Sequence, residues 1–427
     1  MSYAALLERR RRTVAAADIH IDDSMLHESL KPFQRDIVKW AVKGRRRAIW
    51  ADTGLGKTRM QIEWCRLSAQ TSLIIAPLAV CAQTIREAAN IGVTCRYAKH
   101  GSDVTGPGLW ITNYERVDGF DPATFGAVCL DESSILKASD GKTRTKLIAM
   151  FRDVPARLAC TATPGPNDPE ELTNHAEFLG HMTRANMLAA YFVHDQDGWR
   201  LKGHAIQPMV AWMNSWAIAV RYPSDLGDSD DGYQLIPPRI TPQIVHADVS
   251  APEGELFAAT VGGVAGRSRV RRETLPARVQ RAVELIASEP DEPWVIWCGL
   301  NDEADEIAAR IEGAVNVHGS MSADEKAQRL LDFADGKIRV LVTKPSMAAF
   351  GLNWQHCARM IFLGMNDSYE AFYQCIRRCH RFGQRREVNV HIVISALEQE
   401  IALNVAEKER RANRLIQSMI DQRKNHD

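Results

Sequence analysis

At 427 residues, 45% hydrophobic and 25% charged, the chain has the composition of a protein with two or three globular domains, which excludes a disordered or fibrous class. Its 53 basic and 53 acidic residues give a formal net charge of +0, so any nucleic-acid surface has to arise from local clustering of charge. The 9 cysteines are odd in number and lie mostly in apolar runs, as do Cys129, Cys160 and Cys298, which excludes a disulfide framework. The opening run Met1 to Leu7 lacks a cationic region, and no stretch of about 18 apolar residues occurs, so a cytoplasmic protein with no membrane span is expected.

The first predicted element is a helix over residues 4–16, where Glu8-Arg9-Arg10-Arg11-Arg12 reads as a solvated basic face. Leu30 to Trp40 forms a second helix opened by Pro32, with Phe33, Ile37 and Trp40 at core spacing. Within it, the Gln34 amide can pair at once with a donor and an acceptor on an adenine edge.

Next comes Ala51-Asp52-Thr53-Gly54-Leu55-Gly56-Lys57-Thr58, preceded by the apolar run Ala48-Ile49-Trp50 and followed by helix-forming Arg59 to Trp64. A strand, a glycine-bearing turn and a helix opening on Lys-Thr make a phosphate-binding loop, because backbone N–H groups and the positive end of the helix dipole converge on an anion. Thr53, Gly54 and Gly56 shape this cradle, Lys57 reaches the β- and γ-phosphates of ATP, and Thr58 holds Mg²⁺ through its hydroxyl. Ala51 stands where the motif usually starts with glycine.

Two buried strands are predicted at Ser72 to Pro77 and Leu109 to Glu115. The strand Ala127 to Leu130 then runs into Asp131-Glu132-Ser133-Ser134, which puts two carboxylates at the carboxyl edge of an α/β sheet, where such folds bind ligands. Asp131 is suited to the Mg²⁺ hydration shell, and Glu132 to orienting and deprotonating an attacking water. A further strand, Ala156 to Cys160, delivers Thr161-Ala162-Thr163-Pro164, whose hydroxyls can bond to those carboxylates.

Residues 168–245 are less regular. Helical stretches around Trp199, Trp212 and Trp216 enclose a hairpin near His194 to Trp199, and they read as a mostly helical cap over 168–238 of a first domain, 1–238, closed by Pro237-Pro238. The second domain, 239–427, alternates helix and strand again: helix 275–287, strand 294–298, helix 302–311, Val317-His318-Gly319, helix 322–333 and strand 338–343. After it come Phe350-Gly351-Leu352-Asn353 and the string Gln374 to Gln384, in which Arg378 and Arg381, three apart, fall on one helix face and can reach one phosphate target. The charged stretch 398–427 reads as a helical tail along the second domain.

The order of Gln34, the loop 51–58, Thr112 to Glu115, Asp131-Glu132 and Thr161-Ala162-Thr163 resembles the first motor domain of helicase superfamily two. Asp52 to Thr58 is similar to the "DEMGLGKT" form of the Snf-type DNA translocases, and Gln374 to Gln384 to their "QxxxRxHRxGQ" string. The likeness runs from about Leu30 to about Ser395, resembling the compact versions encoded by bacteriophages, which would place the protein in a bacterial host cytoplasm. It departs where Ser133-Ser134 replaces Ala-His, and where Gly364-Met365-Asn366-Asp367-Ser368 replaces a Trp-Asn-Pro segment.

The resemblance implies an α/β fold of two tandem RecA-like domains with an ATP cleft between them. It also implies arginine fingers at Arg378 and Arg381, and a nucleotide contact at Gly351. Thr112, Asn113, Tyr114, Cys298, Gly299, His318, Gly319, Thr343 and Lys344 would grip DNA, chiefly the phosphates of one strand of a duplex. The expected activity is a DNA-stimulated ATPase that translocates along duplex DNA. The alternatives are a strand-separating helicase on branched DNA or RNA and a slow ATP-dependent switch or scaffold.

Overall fold

A computed structural model describes residues 16–137, 141–196, 198–246, 270–350 and 353–425, together with Leu7, Arg11 and Val14. Most of the helix expected over residues 4–16, and Gly351, lie outside the described residues. The chain divides into two compact units, Met1–Tyr233 with Lys408–Asp427, and Gln234–Glu407.

The first unit is built on seven parallel strands, with helices on both faces. In chain order its elements are α1 (Pro32–Gly44), β1 (Arg46–Ala51), α2 (Lys57–Ser68), β2 (Thr71–Ala76), α3 (Leu78–Asn90), β3 (Cys95–Tyr97), β4 (Gly108–Asn113) and β5 (Ala127–Asp131). There follow α4 (Lys142–Met150), β6 (Ala156–Cys160), α5 (Leu172–Leu179), α6 (Arg184–Tyr191), the hairpin β7 (Phe192–Asp195) and β8 (Gly198–Leu201), α7 (Ile206–Asn214) and β9 (Ala217–Val220). The sheet order is β3-β4-β2-β5-β6-β1-β9.

Successive side chains of a strand face opposite sides, and the core divides accordingly. Ile49, Ile74, Cys129, Cys160 and Ile218 meet α1, α2 and α3. Trp50, Ile75, Leu130, Ala159 and Ala219 meet α5, α6 and α7. Both faces are covered, so the strands read as continuous apolar runs. The stretch 168–238 is more than a cap, because β9 completes the sheet by pairing with β1, Trp50 opposite Ala219.

The second unit comprises β10 (Arg239–Val245), α8 (Leu275–Ser288), β11 (Trp294–Cys298), α9 (Asn301–Arg310), β12 (Ala314–Val317), α10 (Ala323–Ala334), β13 (Val340–Thr343), β14 (Arg359–Leu363), α11 (Tyr369–Cys379) and β15 (Asn389–Ser395). Its parallel sheet runs β10-β15-β14-β11-β13-β12. Trp294, Ile296 and Cys298 pack under α8 and α9. On the other face Trp297 stacks on Trp354 with centroids 5.7 Å apart. Each unit is a parallel α/β sheet, as the alternation of strand and helix implies.

The last helix, α12 (Gln399–Lys424), corrects one expectation. From Lys408 onward it belongs to the first unit, where Met419 and Ile420 are buried with Trp212 and Trp216. An apolar stripe within a charged helix decides this placement. Among the described residues no helix is long and apolar enough to cross a membrane.

Candidate active site

Three neighbouring strands of the first unit set the geometry. Ile49 of β1 lies opposite Cys160 of β6, which lies opposite Asp131 of β5. The loop 52–56, the Asp-Glu pair and Thr161 therefore leave the sheet side by side at its carboxyl edge. Gly54 and Gly56 turn the chain with φ of 90° and 80°, a region that side chains with a Cβ disfavour. A Cβ at Gly56 would also sit 2.4 Å from Gln34 Nε2, so this glycine is required twice.

Gln34 is buried and ties the loop to α1. Its Nε2 donates to Leu55 O at 2.8 Å, while Oε1 accepts from Lys31 N at 2.9 Å. Both ends of the amide are thus engaged by backbone, leaving one N–H and one lone pair for an adenine edge. Asp52 Oδ1 accepts from Thr53 N at 2.6 Å, which braces the turn. Lys57 Nζ donates to Ala51 O at 2.8 Å and Asp52 O at 3.2 Å, so its ammonium closes the cradle it opens. Thr58 occupies the next position of α2.

Asp131 is 6% exposed, and Gln61 Nε2 of α2 donates to its Oδ1 at 2.7 Å. Burial pushes its carboxyl above the ordinary range, opposed by the Gln61 bond and the Lys57 charge. A buried carboxylate at this edge is an oxygen donor of the kind a divalent cation takes. Glu132 has φ 53°, a left-handed conformation that is strained for a non-glycine residue, by roughly 1–2 kcal/mol. Thr161 Oγ1 donates to its Oε2 at 3.3 Å and accepts from Thr163 N at 3.1 Å.

Three supports of this site are not among the residues expected to act on the nucleotide. Gln61 is one. Tyr114 is another, for its hydroxyl donates to Asp131 O at 2.6 Å. The third is His175 of α5, fully buried, whose Nε2 lies 3.1 Å from Ser133 Oγ and whose ring meets Trp50 of β1 edge-on at 5.7 Å. Burial pushes the His175 imidazole down to about 4. The spacing of Gln61 on the inner face of α2 was the one readable signal; the others depend on chain crossings.

Five of the residues expected to grip DNA have buried side chains. Thr112, Asn113 and Tyr114 are 0%, 3% and 6% exposed, and Asn113 is held between Tyr97 and Glu115. Cys298 and Thr343 are 0% exposed, with Thr343 Oγ1 donating to Val317 O at 3.0 Å. The last residues of a doubly covered strand alternate into its two buried faces, which removes them from the surface. Gly299 and Gly319 are exposed, and His318 and Lys344 half-buried. They follow β11, β12 and β13, whose ends align through Trp297, Thr343 and Val317.

Arg378 and Arg381 do not share a helix face. Helix α11 ends at Cys379, and His380 leaves it with φ −88° and ψ 83°, because its Nε2 bonds to Ile236 O at 2.9 Å. Arg381 stands in the turn that follows, pushed down to about 10 by burial and by the charges of Arg378 and Arg377. Gln384 holds this turn. Its Nε2 faces Gln355 O, Cys357 O and Cys379 O at 2.9, 3.1 and 3.3 Å, and its Oε1 accepts from Arg385 N and Arg386 N. Cys375 and Cys379 are fully buried packing residues.

Comparison with known proteins adds to this. Residues 277–383 match the helicase conserved C-terminal domain. The chain is 22% identical over 426 residues to the SWI/SNF-related matrix-associated actin-dependent regulator of chromatin subfamily A-like protein 1 of Xenopus tropicalis, covering 90% of this chain and 44% of that protein. It is 22% identical over 424 residues to the DNA annealing helicase and endonuclease ZRANB3 of Bos taurus, covering 87% of this chain and 39% of the relative. The chain thus spans less than half the length of these curated relatives. A solved structure, the Sulfolobus solfataricus SWI2/SNF2 ATPase core in complex with dsDNA, matches with a TM-score of 0.45 at 18% identity, over 90% of this chain and 92% of that one.

Proposed function

We propose, from the premise that the chain is a Snf-type, helicase-like protein of superfamily two, that it hydrolyses ATP with Mg²⁺ and couples turnover to translocation along duplex DNA. The observation that carries this reading is the single edge of the first sheet at which Lys57, Asp131 and Glu132 converge, with the Lys57 charge acting on Asp131 and Thr161 bonded to Glu132.

In this reading the backbone of the 54–58 turn and the amino end of α2 hold the phosphates, and Lys57 turns its ammonium from the loop carbonyls to the β- and γ-phosphate oxygens. Thr58 and Asp131 hold Mg²⁺, which when bound neutralises charge on those oxygens. Glu132 orients the attacking water and takes its proton, with Thr161 fixing the carboxylate. Gln34 adds its remaining N–H and lone pair to the adenine edge. By the resemblance, Arg378 and Arg381 would supply positive charge to the transition state. DNA phosphates are taken by the exposed turns at Gly299, Gly319 and Lys344, through backbone N–H groups and the lysine, which makes binding sequence-independent and salt-sensitive.

The test is steady-state ATPase activity with no nucleic acid, single-stranded DNA, duplex DNA, forks and RNA. Stimulation by duplex, lost in Lys57→Ala and in Arg378→Ala, is the expected result. Turnover indifferent to DNA would favour a switch, and ATP-dependent release of a strand from a labelled fork would replace translocation by unwinding.

A further inference from the structure

At the opposite, amino-terminal edge of the first sheet, Arg46 of β1 pairs in register with Arg157 of β6. The two begin strands whose far ends lead to the phosphate loop and to Thr161, one strand length away, roughly 17–20 Å at about 3.3 Å per residue. Beside them lies a cavity of about 240 Å³, lined by Arg46, Arg152, Arg157, Glu177, Gly180 and Thr183 among others. A water needs only about 10–15 Å³ on the same measure, so there is room for a polyatomic ligand.

The lining is cationic and poorly answered. Arg157 is 2% exposed; its Nη1 and Nη2 donate to Phe178 O and Leu179 O, the last carbonyls of α5, and its Nε has no hydrogen-bond partner. Arg46 donates Nε to Pro155 O at 3.2 Å. Glu177 is already engaged by Arg144 and by the backbone N–H of Arg184. Asp153 acts on Arg46 and Arg157 through its charge, yet among the described residues neither arginine, nor Arg152, has a carboxylate in salt-bridge contact. Burial, with Arg46 adding to it, pushes Arg157 down to about 9. Gly180 turns at φ 79°, and a Cβ there would come within 2.7 Å of Arg157 Nη2 and 3.0 Å of Arg46 Nη1, so the missing side chain makes room for the guanidiniums.

We infer that this cavity is a binding site for a small, multiply charged oligophosphate anion, distinct from the nucleotide site at the other edge of the sheet. Guanidinium forks match phosphate oxygens in pairs. Arg46, Arg152 and Arg157 outnumber the one lining carboxylate, Glu177, so the pocket keeps a net positive charge for an anion to answer. A partly open pocket in a unit that also holds the Lys57 loop offers the free anion a second seat.

Tripolyphosphate titrated calorimetrically, in EDTA, into the Lys57→Ala chain tests this, because the substitution silences the loop. One anion bound per chain, weakened tenfold or more by Arg46→Gln and by the exposed Arg152→Gln, is the expected result. Absence of binding, or binding that both substitutions leave unchanged, overturns the inference. So does displacement by a DNA duplex at concentrations where free nucleotides do not compete, which would make the patch a nucleic-acid surface.

Discussion

His175 and His181 are buried imidazoles pushed down to about 4 and about 3, chiefly by burial, from an ordinary value of 6.5. A histidine depressed on folding is neutral in the native state and binds its proton only after unfolding. The stability it contributes is present above pH 6.5 and lost as pH falls toward its folded value, by at most about 3 kcal/mol for a shift of the His175 size. Unfolding midpoints should therefore fall steadily between pH 6.5 and 4, and His175→Gln should flatten that profile; a wild-type profile without a slope would contradict the neutral imidazoles. Gly56→Ala meets two penalties: strain of roughly 1–2 kcal/mol at positive φ and the clash with Gln34. Nucleotide-dependent thermal shifts should show at least a tenfold loss of affinity. In a Gln34→Ala background the loss should shrink, since residues in contact are not additive.

Among the elements, the turn after α11 depends on one buried amide more than on helix propensity. Gln384 faces three carbonyls and two backbone N–H groups, so Gln384→Ala leaves several buried groups unpaired, at about 1–3 kcal/mol. Denaturant unfolding of the second unit should record that loss. On the proposed mechanism, DNA-stimulated kcat should fall at least tenfold with KM for ATP little changed, because the turn that carries Arg381 loses its support while the phosphate loop is untouched. Equal losses in Arg381→Ala and the double variant would tie the two residues to one step; additive losses would separate them.

For the whole molecule, the distribution of the last helix between the two units matters most. Met419 and Ile420 are 1% and 2% exposed, and Asn214 Nδ2 donates to Met419 O at 3.0 Å. Ending the chain at Glu407 should destabilise the first unit by about 3–6 kcal/mol, at about 1.5–3 kcal/mol for each buried side chain. Hydrogen exchange should accelerate in α7 and β9 while β11 and β14 stay protected. Uniform acceleration would mean that the units unfold as one.

What the sequence determined by itself is what neighbouring residues determine. The strand, glycine turn and helix around Lys57 are contiguous, and the central strands β2, β5, β6 and β11 are buried on both faces, so their apolar runs identify them. The tertiary structure alone decided the partners of those segments. The four-residue β9 and the solvent-edge β10 have no periodicity to read and become strands by pairing with β1 and β15. Gln61, Tyr114 and His175 reach the Asp-Glu loop only once the chain has crossed the sheet. Side-chain alternation at covered strand ends turned Thr112, Asn113, Cys298 and Thr343 inward, and the turn after β4 buries Tyr114 against Asp131 O. The physical reason is the same throughout: a turn or a hydrophobic run is set by residues a few positions apart, whereas burial and hydrogen-bond partnership are set by segments distant in sequence.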